Sequence, residues 1–442
     1  MTVLEKIAER LAARPEEDER VARHVLDAVG VWIAGRGSEE AHELARLRSS
    51  QPIAVFGDTV LDRLALRVAT TRLSEMDDIH LPSCTTAGAV VIPAALAVAG
   101  SLGRPSAAAF AHAVRDGYGL MTLLGTAIQG PVVLRRGIWP TYFLAPVATA
   151  AVTARLLGVD AARTANALAI ALTMTSGGVA DPSGKIPRWL LVGLAARQGA
   201  AAGLAAAEGF TGDRRLLDGD WLKRVHGVEV DAAALEAPLP TLAALSMKPH
   251  CAAKQTMAGT EAFVELVRKG IAPEEIAAVK AEVLPTFVGM IGHHDAGSRT
   301  GRLTGLAYQM AVAVYCPENL CDVNRPPVDD ERIGKLMEKV EVTGDATLER
   351  HFPQAYGARV EVTTKSGRKE AATVIAAGGD PGRQFSEEEV AGKFHHLADA
   401  ALDKARADEL CGLCLRSTAD DGALGELCRM TEEIQAEPLG GR

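Results

Sequence analysis

The pattern of hydrophobic positions along the chain predicts a mostly helical protein. From Glu16 to Gly35 the apolar residues fall on one helical stripe, and Gly35 is placed to end that helix. Later segments rich in Ala and Leu lack a polar face, which is typical of helices buried inside a bundle. These segments are residues 89–102, 106–128, 142–157, 160–176 and 190–208. The short break at 158–160 predicts that the helices on either side pack antiparallel.

The pattern changes near Pro238, where short runs of β-branched residues with partial alternation indicate strands. The predicted strands are residues 278–284, 339–343, 359–363 and 371–376, with a hairpin turn at 365–367. Helices are predicted at 256–268 and 302–315, and again after Gly378 at 387–406 and 407–434. We therefore predict a helical domain of residues 1–240 and 384–442, interrupted by a smaller α+β domain of residues 241–383.

Composition supports a globular protein and argues against a nucleic-acid partner. Hydrophobic residues make up 48% and aromatic residues only 4% of the 442 residues, so the core must be built from Ala, Leu and Val. Such small side chains favour closely packed helices. The formal net charge of −9 argues against a broad nucleic-acid surface, which needs Lys and Arg concentrated on one face.

Three features predict a cytoplasmic protein without a membrane span. The N-terminus carries charge at Glu5 and Lys6, where a signal peptide needs an apolar run. The longest uncharged stretch, 81–103, is diluted by proline and polar residues, which favours a buried helix over a membrane span. Seven cysteines are scattered without a secreted framework pattern, as suits a reducing compartment.

Signatures of common cofactors and metals are weak or absent. No glycine-rich turn follows a predicted strand, which argues against a dinucleotide cofactor. Cys411 and Cys414 have metal-like spacing, but no second pair accompanies them, so we interpret them as packed residues of one helix. His293-His294-Asp295 is interpreted as a solvated loop. The sequence therefore predicts neither a cofactor nor a metal.

A series of short segments, in a fixed order over almost the whole chain, carries a family resemblance. They are Val25–Val31 with Ala34-Gly35, Met76–His80 followed by Gly88–Ala97, Gly137–Thr141, Ala150–Gly158, Ala165–Ala171 with Ser176-Gly177, Met247–Pro249, Gly379–Pro381, Phe385–Glu389 and Lys393-Phe394. Each segment alone is unspecific, but together they resemble the MmgE/PrpD family.

The resemblance implies both a fold and a chemistry. The family fold is a large all-helical domain with a small α+β domain, usually as a homodimer, with the active site in the cleft between the domains. Its members eliminate water, remove carboxylate or shift stereochemistry on small polycarboxylic acids. A base removes a proton next to a carboxylate while cationic side chains hold the acid, and neither a metal nor a redox cofactor is needed.

The family's charged site positions are retained in this sequence. Glu75 stands in place of an aspartate in the loop motif, and Arg188 stands in place of a lysine. The lysine that opens the second domain is kept as Lys248. An arginine binds a carboxylate through two parallel hydrogen bonds but does not release a proton at neutral pH. The cationic residues that bind the anionic substrate are therefore expected to be retained.

The family's proton-transferring positions are mostly replaced. Its threonine falls on Ile79, and its tyrosine falls on Gly289 or Met290. Its histidines fall on Thr85, Trp139 and Ala253. His80 and His250 lie near two of the lost histidines and are candidates to take over their work. Alternatively, the match between this sequence and the family motif is shifted by one residue around 79–86, and the loss of the histidines is only apparent for that reason.

The resemblance suggests two groups of site residues. The predicted catalytic residues are Lys248, His80, Glu75 and His250, and the predicted substrate-binding residues are Arg188, Asp77, Asp78, Thr85 and Trp139. Structural alternatives stay open for each. The two aspartates could cap the helix that begins near Gly88, the cationic residues could form surface ion pairs, and the histidines and Trp139 could serve in packing.

Two functions remain open. The first is a cofactor-independent lyase or isomerase acting on a small polycarboxylate or related acidic metabolite, by proton transfer next to a carboxylate, including a specialised biosynthetic cyclisation. The second is a non-catalytic binding or scaffold member that kept the dimeric fold. An enzyme is expected to hold an acid/base pair with a perturbed pKa near Arg188 or Lys248.

Overall fold

The computed structural model describes residues 1–13, 18–49, 56–178, 188–327, 329–437 and 439. Contacts between Cα atoms divide the chain into two compact units. The first unit consists of Met1–Leu245 and Ser386–Arg442, and the second consists of Ser246–Phe385. The boundaries expected from the sequence lay at residues 240 and 384.

Helices and the loops between them make up the described residues of the first unit, with two isolated β-bridges and no longer strand. Its N-terminal part contains α1 (Val3–Ala12), α2 (Arg20–Arg36), α3 (Glu39–Ser49), α4 (Val60–Leu73), α5 (Gly88–Ser101), α6 (Ala107–Ala127), α7 (Gly130–Arg135), α8 (Pro140–Leu156), α9 (Ala161–Leu172), α10 (Arg188–Ala207), α11 (Trp221–His226) and α12 (Ala232–Glu236). The predicted apolar segments correspond to α5, α6, α8, α9 and α10, and this prediction is confirmed.

Small residues let the central helices approach closely. α10 packs against α8, α4 and α9. At Gly199 of α10 an added Cβ would lie only 1.9 Å from the carbonyl oxygen of Pro146 in α8, so a larger residue would push these helices apart. Asp160, in the predicted break between α8 and α9, caps α9 because its Oδ1 accepts a hydrogen bond of 2.8 Å from the Arg163 amide.

One described helix is long and apolar enough to cross a bilayer, judged by length and composition. It spans Trp189–Ala207 within α10, and 44% of its most apolar window is buried. The helices α4, α8 and α9 pack against part of its surface. A core helix of a bundle has the same properties, which makes this a weak indication of a membrane span.

The second unit combines a small sheet with helices. Its helices are α13 (Lys254–Arg268), α14 (Val288–Ile291), α15 (Arg299–Thr304), α16 (Leu306–Tyr315) and α17 (Glu331–Met337). Its strands are β1 (Ile276–Val283), β2 (Val340–Gly344), β3 (Ala358–Thr364) and β4 (Lys369–Val374). The predicted helix at 302–315 is interrupted in the structure, because Gly305 adopts an extended conformation between α15 and α16.

The four strands form one mixed sheet in the order β2-β1-β3-β4. β1 runs parallel to β2 and antiparallel to β3, while β3 and β4 form an antiparallel hairpin. Alternate residues of β3 are buried, beginning with Ala358, and α13 packs on β3 and β4. The predicted hairpin turn is confirmed: Gly367, with φ of +84°, lies in it. The fold is therefore mostly α with a smaller α+β part, as predicted.

The chain returns to the first unit through three helices rather than the predicted two. They are α18 (Glu387–Ala398), α19 (Lys404–Arg416) and α20 (Asp421–Ala436). The prediction of helices at 387–406 and 407–434 was wrong at its boundary. Asp403 and Asp420 each begin a new helix by accepting hydrogen bonds from amides of the following turn.

Candidate active site

An acidic loop between α4 and α5 carries five of the predicted site residues. It contains Glu75, Asp77, Asp78, His80 and Thr85. Glu75 has φ of +54°, in the left-handed region that non-glycine residues rarely adopt. Such local strain is often found at functional sites. The geometry of this loop therefore matters for the predicted chemistry.

Arg72, at the end of α4, contacts two carboxylates of the acidic loop, those of Glu75 and Asp77. Its Nη1 lies 2.9 Å from Glu75 Oε2 and 3.2 Å from Asp77 Oδ1. Burial acts to lower the pKa of Arg72, but the nearby carboxylates of Asp77 and Glu75 outweigh it and raise that pKa. The Arg72 guanidinium also lies 5.5 Å from the ring centroid of Trp189. Arg72 therefore holds Glu75 and Asp77 together, and the sequence analysis missed it.

Asp78 faces the protein interior and caps α5. Its Oδ2 lies 2.7 Å from His24 Nδ1 and accepts a hydrogen bond of 2.6 Å from the Tyr118 hydroxyl. Its Oδ1 accepts a hydrogen bond of 2.8 Å from the Gly88 amide at the start of α5. An added Cβ at Gly88 would lie 2.6 Å from the Tyr118 oxygen, so only glycine fits there. These contacts support the capping alternative for Asp78 rather than substrate binding.

The charge of Asp78 is maintained by its hydrogen-bond partners. Burial alone would raise the pKa of this carboxyl group, but the contacts with His24, Tyr118 and Gly88 lower it. Burial and the nearby Asp78 carboxylate raise the pKa of Tyr118 well above its usual value. Asp78 is therefore ionised at neutral pH, and Tyr118 serves as a stable hydrogen-bond donor.

His80 lies in a tight turn with Ser83 and Thr85. Its Nδ1 is 2.9 Å from Ser83 Oγ, and Ser83 Oγ is 2.6 Å from Thr85 Oγ1. The His80 amide also donates to the Thr85 carbonyl at 2.8 Å. Burial lowers the pKa of His80 to about 4, so the imidazole is neutral at physiological pH. Thr85, on which the resemblance places a family histidine, contacts Ser83 through its hydroxyl group.

Lys393 of α18 links the acidic loop to α2. Its Nζ lies 2.6 Å from Asp27 Oδ1 and donates a hydrogen bond of 3.2 Å to the Met76 carbonyl. Burial raises the pKa of Asp27, and the Lys393 ammonium acts against this. The sequence showed Asp27 and Lys393 only as parts of separate motifs, so it could not reveal this contact.

Trp139 and Arg188 begin two helices of the same unit. Trp139 is half-buried and stacks on Tyr142, with ring centroids 5.3 Å apart. Its helix is tied to the acidic loop through Thr141, whose Oγ1 accepts a hydrogen bond of 3.0 Å from the Thr86 amide. Arg188 is the first residue of α10, but its side chain lies outside the described part of the chain. Its predicted role stays a prediction.

Lys248 and His250 belong to the second unit. Lys248 is 2% exposed, which excludes the alternative of a surface ion pair. His250 is half-buried, in the segment that leads into α13. Ala253, on which the resemblance places a family histidine, is the residue before α13 and gives that helix no side-chain cap.

Close to Lys248, a second buried lysine forms an ion pair that the sequence analysis missed. The Lys254 ammonium contacts the carboxylate of Asp380, and both side chains are nearly fully buried. Asp380 also accepts hydrogen bonds from the Ser246 hydroxyl and, at 2.8 Å, from the Ala377 amide. Burial lowers the pKa of Lys254, Asp380 acts against this, and the charge of Lys248 lowers it further. The available signal was a lysine in the first turn of a helix, where a cation is electrostatically unfavourable.

Each unit, taken by itself, holds groups that suit acid/base chemistry on anions. Among the described residues no group of three or more His, Cys, Asp and Glu side chains could hold a metal ion. In the first unit the candidate proton-transferring groups are the neutral His80 and the Glu75 carboxylate, which lies in a strained loop. In the second unit the candidate is Lys254, whose pKa is lowered. Groups of this kind abstract and return protons next to carboxylates.

Comparison with known families gives two matches that together span most of the chain. The model of the MmgE/PrpD N-terminal domain matches residues 8–226. The model of the MmgE/PrpD C-terminal domain matches residues 250–417. Among proteins with curated descriptions, none is significantly similar to this sequence.

Proposed function

The chain belongs to the MmgE/PrpD family, and on that premise we propose that it is a cofactor-independent lyase or isomerase of small polycarboxylates or related acidic metabolites. Family membership itself supports an enzyme with lyase-type activity on small acids. The finer proposal is that a proton is moved at a carbon next to a carboxylate, in elimination, decarboxylation, epimerisation or a ring-forming step.

The observation that carries this proposal is the burial of Lys248 beside a lysine with a lowered pKa. A buried ammonium group is unfavourable unless an anion compensates for it, and Asp380 does so for Lys254. The Lys254–Asp380 pair lies within electrostatic reach of Lys248, since the Lys248 charge lowers the pKa of Lys254. A buried lysine with a lowered pKa is the kind of group expected at the site of an enzyme. It favours an enzyme over the alternative, a non-catalytic binding or scaffold member.

Other residues stand at the positions where the resemblance places histidines. We therefore propose that the reaction or the substrate differs from that of the family's usual members. Thr85, Trp139 and Ala253 cannot shuttle protons as histidines do. His80 is neutral and buried, and Glu75 is a carboxylate held by Arg72. Isomerisation at a carbon beside a carboxylate needs one proton-transferring group on each face of that carbon. A Glu/His or Lys/His pair would meet this need, so epimerisation fits the retained groups better than the family's usual dehydration.

Proton NMR in deuterated water tests the proposal directly. The full chain is incubated with a panel of dicarboxylates and tricarboxylates, and the signals of protons next to carboxylates are followed. We expect at least one acid to lose such a signal through exchange, even without net turnover. The heat-denatured chain and the Lys248→Met variant are the controls. A folded chain that exchanges no acid in the panel, and binds some of them, would instead support the non-catalytic alternative.

We also propose a homodimer in the cytoplasm, as the resemblance implies. Exposed apolar side chains on and after α10, including Leu191, Leu204 and Phe210, offer a surface for a second copy. Light scattering at micromolar concentration measures the assembly directly. A monomer would contradict the dimer and leave the catalytic proposal standing.

A further inference from the structure

Ser83 lies at the centre of a buried hydrogen-bond cluster in the acidic loop. Its Oγ lies 2.9 Å from His80 Nδ1, 2.6 Å from Thr85 Oγ1 and 3.3 Å from the His80 carbonyl oxygen. Ser83 and Thr85 are fully buried, and His80 is 4% exposed. Polar groups that are buried from water need hydrogen-bond partners within the protein. The protons of this cluster therefore have to be shared among these three residues.

Close packing against two helices holds Ser83 in this position. An added Cβ at Gly125 of α6 would lie 2.6 Å from the Ser83 Cβ, and one at Gly130 of α7 would overlap the Ser83 carbonyl oxygen. The turn is also closed by the hydrogen bond of 2.8 Å from the His80 amide to the Thr85 carbonyl. The Ser83 hydroxyl is therefore held next to the His80 ring by the backbone as well as by its own hydrogen bonds.

A count of protons decides which ring nitrogen of His80 carries one. A hydroxyl group donates one hydrogen bond and accepts two. If Nδ1 is protonated, it donates to Ser83 Oγ, the Ser83 hydroxyl donates to the His80 carbonyl, and the Thr85 hydroxyl donates to Ser83 Oγ. If Nδ1 is bare, the single Ser83 proton faces two acceptors, the ring nitrogen and the carbonyl, and one contact is left without a proton. The Nδ1–H tautomer therefore satisfies all three contacts.

The Nδ1–H tautomer leaves a lone pair on Nε2 of His80. Burial lowers the pKa of His80 to about 4, so the ring is neutral at physiological pH. Among the described residues the ring makes its hydrogen bond through Nδ1, so Nε2 is the nitrogen that can take a proton from a ligand. A neutral imidazole whose other nitrogen is fixed by a hydrogen bond is the form in which histidine acts as a base.

We propose that Ser83 is a positioning residue, which holds His80 as the Nδ1–H tautomer so that Nε2 removes the proton next to the substrate carboxylate. This inference rests on the proposed function for the identity of the substrate. In this step the C–H bond of the acid breaks, its electron pair stays on the acid as an enolate, and the proton moves to Nε2. The imidazolium still donates from Nδ1 to Ser83, and it returns a proton to the carbon or, in deuterated water, a deuteron.

The tautomer is measured in the unchanged full chain, without assuming any reaction. Two-bond proton–nitrogen correlation spectra of the chain labelled with nitrogen-15 histidine distinguish a protonated ring nitrogen from a bare one. The His80 signals are those that disappear in His80→Gln. We expect a protonated Nδ1 and a bare Nε2 at neutral pH. A protonated Nε2, or a mixture of the two tautomers, would overturn the inference.

Ser83→Ala removes the acceptor of the Nδ1 proton. We expect the ring to populate both tautomers, and the maximal exchange rate of the active acid to fall about 10- to 100-fold, as on loss of other groups that orient a functional histidine. The acid concentration at half-maximal rate should not change, because Ser83 does not contact the substrate. Ser83→Cys keeps a weak donor and acceptor and should restore part of the rate. Ser417→Ala is the matched control, because Ser417 is equally buried and donates to the Cys414 carbonyl at 2.8 Å, and it should exchange the acid like the unchanged chain.

The outcomes separate this inference from the proposed function. If Ser83→Ala keeps both the Nδ1–H tautomer and the exchange rate, Ser83 is only structural and the inference is overturned, while the proposed function stands. If Ser83→Ala does not fold, the tautomer of the unchanged chain and the exchange rate of Ser83→Cys decide in the same way. If His80 has the Nδ1–H tautomer but no acid of the panel exchanges a proton, the proposed function fails and His80 is not its base, although Ser83 fixes the ring.

Discussion

The Lys393 ammonium lies 2.6 Å from the Asp27 carboxylate, although 366 positions of sequence separate the two residues. The same ammonium donates a hydrogen bond to the Met76 carbonyl, one residue after Glu75. A helix near the C-terminus therefore fixes both α2 and the acidic loop. Residues that are distant in sequence but in contact in the folded chain thus hold the predicted site residues in place.

Removal of the Lys393 charge is expected to destabilise the first unit strongly. Lys393→Met would leave the Asp27 carboxylate, which is 2% exposed, buried without its cation. Breaking a buried ion pair in this way costs about 3–5 kcal/mol. Urea unfolding followed by circular dichroism measures the loss. Lys404→Met, in an exposed pair with Asp408, should change stability by less than about 0.5 kcal/mol. A loss below about 1 kcal/mol for Lys393→Met would contradict the prediction, and Lys393→Met/Asp27→Asn should recover part of it.

The hydrogen bond from Tyr118 to Asp78 gives a second stability prediction. Tyr118→Phe removes one of the three donors that keep the buried Asp78 carboxylate ionised. We expect a loss of about 1–3 kcal/mol, since a buried charged acceptor is left short of a partner. The midpoint of urea unfolding reports it. Tyr315→Phe, at a partly exposed tyrosine of the second unit, should shift that midpoint little. Equal shifts in the two variants would show that the Asp78 contact contributes nothing.

Much of the fold could be predicted because its main signal is periodic. The helices without a polar face, the strands with β-branched residues and the hairpin at Gly367 were recognised from spacing alone. The boundary between the last helices was misplaced because the caps at Asp403 and Asp420 lie within a continuous helical pattern. Only the cap geometry shows where the chain stops and restarts.

Less of the candidate site could be predicted, because its contacts join distant positions. The acidic loop was recognised, but the sequence does not show that Asp78 points to His24 and Tyr118, whereas Glu75 and Asp77 share Arg72. Lys254 lies six residues after Lys248, yet its partner Asp380 comes more than 100 positions later. Contacts of this kind carry no local periodicity. The side-chain roles of Arg188 and His250 remain predictions.

Burial of neutral His80 predicts a loss of stability in acid. Burial lowers the pKa of His80 from 6.5 to about 4, so between these pH values the unfolded chain binds a proton that the folded chain does not. The contribution is fully present above pH 6.5 and is lost as the pH falls towards 4. A pKa change of this size corresponds to about 3 kcal/mol at most. Urea unfolding between pH 7 and 4.5 should show a shallower pH dependence for His80→Gln than for the unchanged chain. His395→Gln, at a partly exposed histidine, is the control, and parallel curves for all three proteins would exclude a buried neutral His80.

Arg188 and Lys248 are each expected to bind a substrate carboxylate. Charge-assisted hydrogen bonds contribute about 1.5–3 kcal/mol, so Arg188→Met or Lys248→Met should weaken capture of an active acid about 10- to 150-fold. Arg188→Lys should restore only part of the loss if the contact is bidentate. Steady-state kcat/KM with the acid found by NMR measures the effect, and urea unfolding checks the fold. Arg332→Met, in an exposed pair with Asp330, is the control. If kcat/KM is unchanged in both Arg188→Met and Lys248→Met, neither residue binds the substrate.

Glu75 allows strain and chemistry to be separated at one position. Its φ of +54° costs about 1–2 kcal/mol for a residue with a Cβ, and its carboxylate contacts Arg72 at 2.9 Å. Glu75→Gln keeps the shape and the backbone strain but removes the base, so proton exchange should fall by about 10²- to 10⁴-fold while stability changes little. Glu75→Gly relieves the strain and also removes the carboxylate, so it should be equally inactive and at least as stable as Glu75→Gln. Glu426→Gln, at a surface pair on α20, should exchange like the unchanged chain. A carboxylate that served only to hold Arg72 would show the reverse pattern, with exchange retained in Glu75→Gln and stability lost in Glu75→Gly.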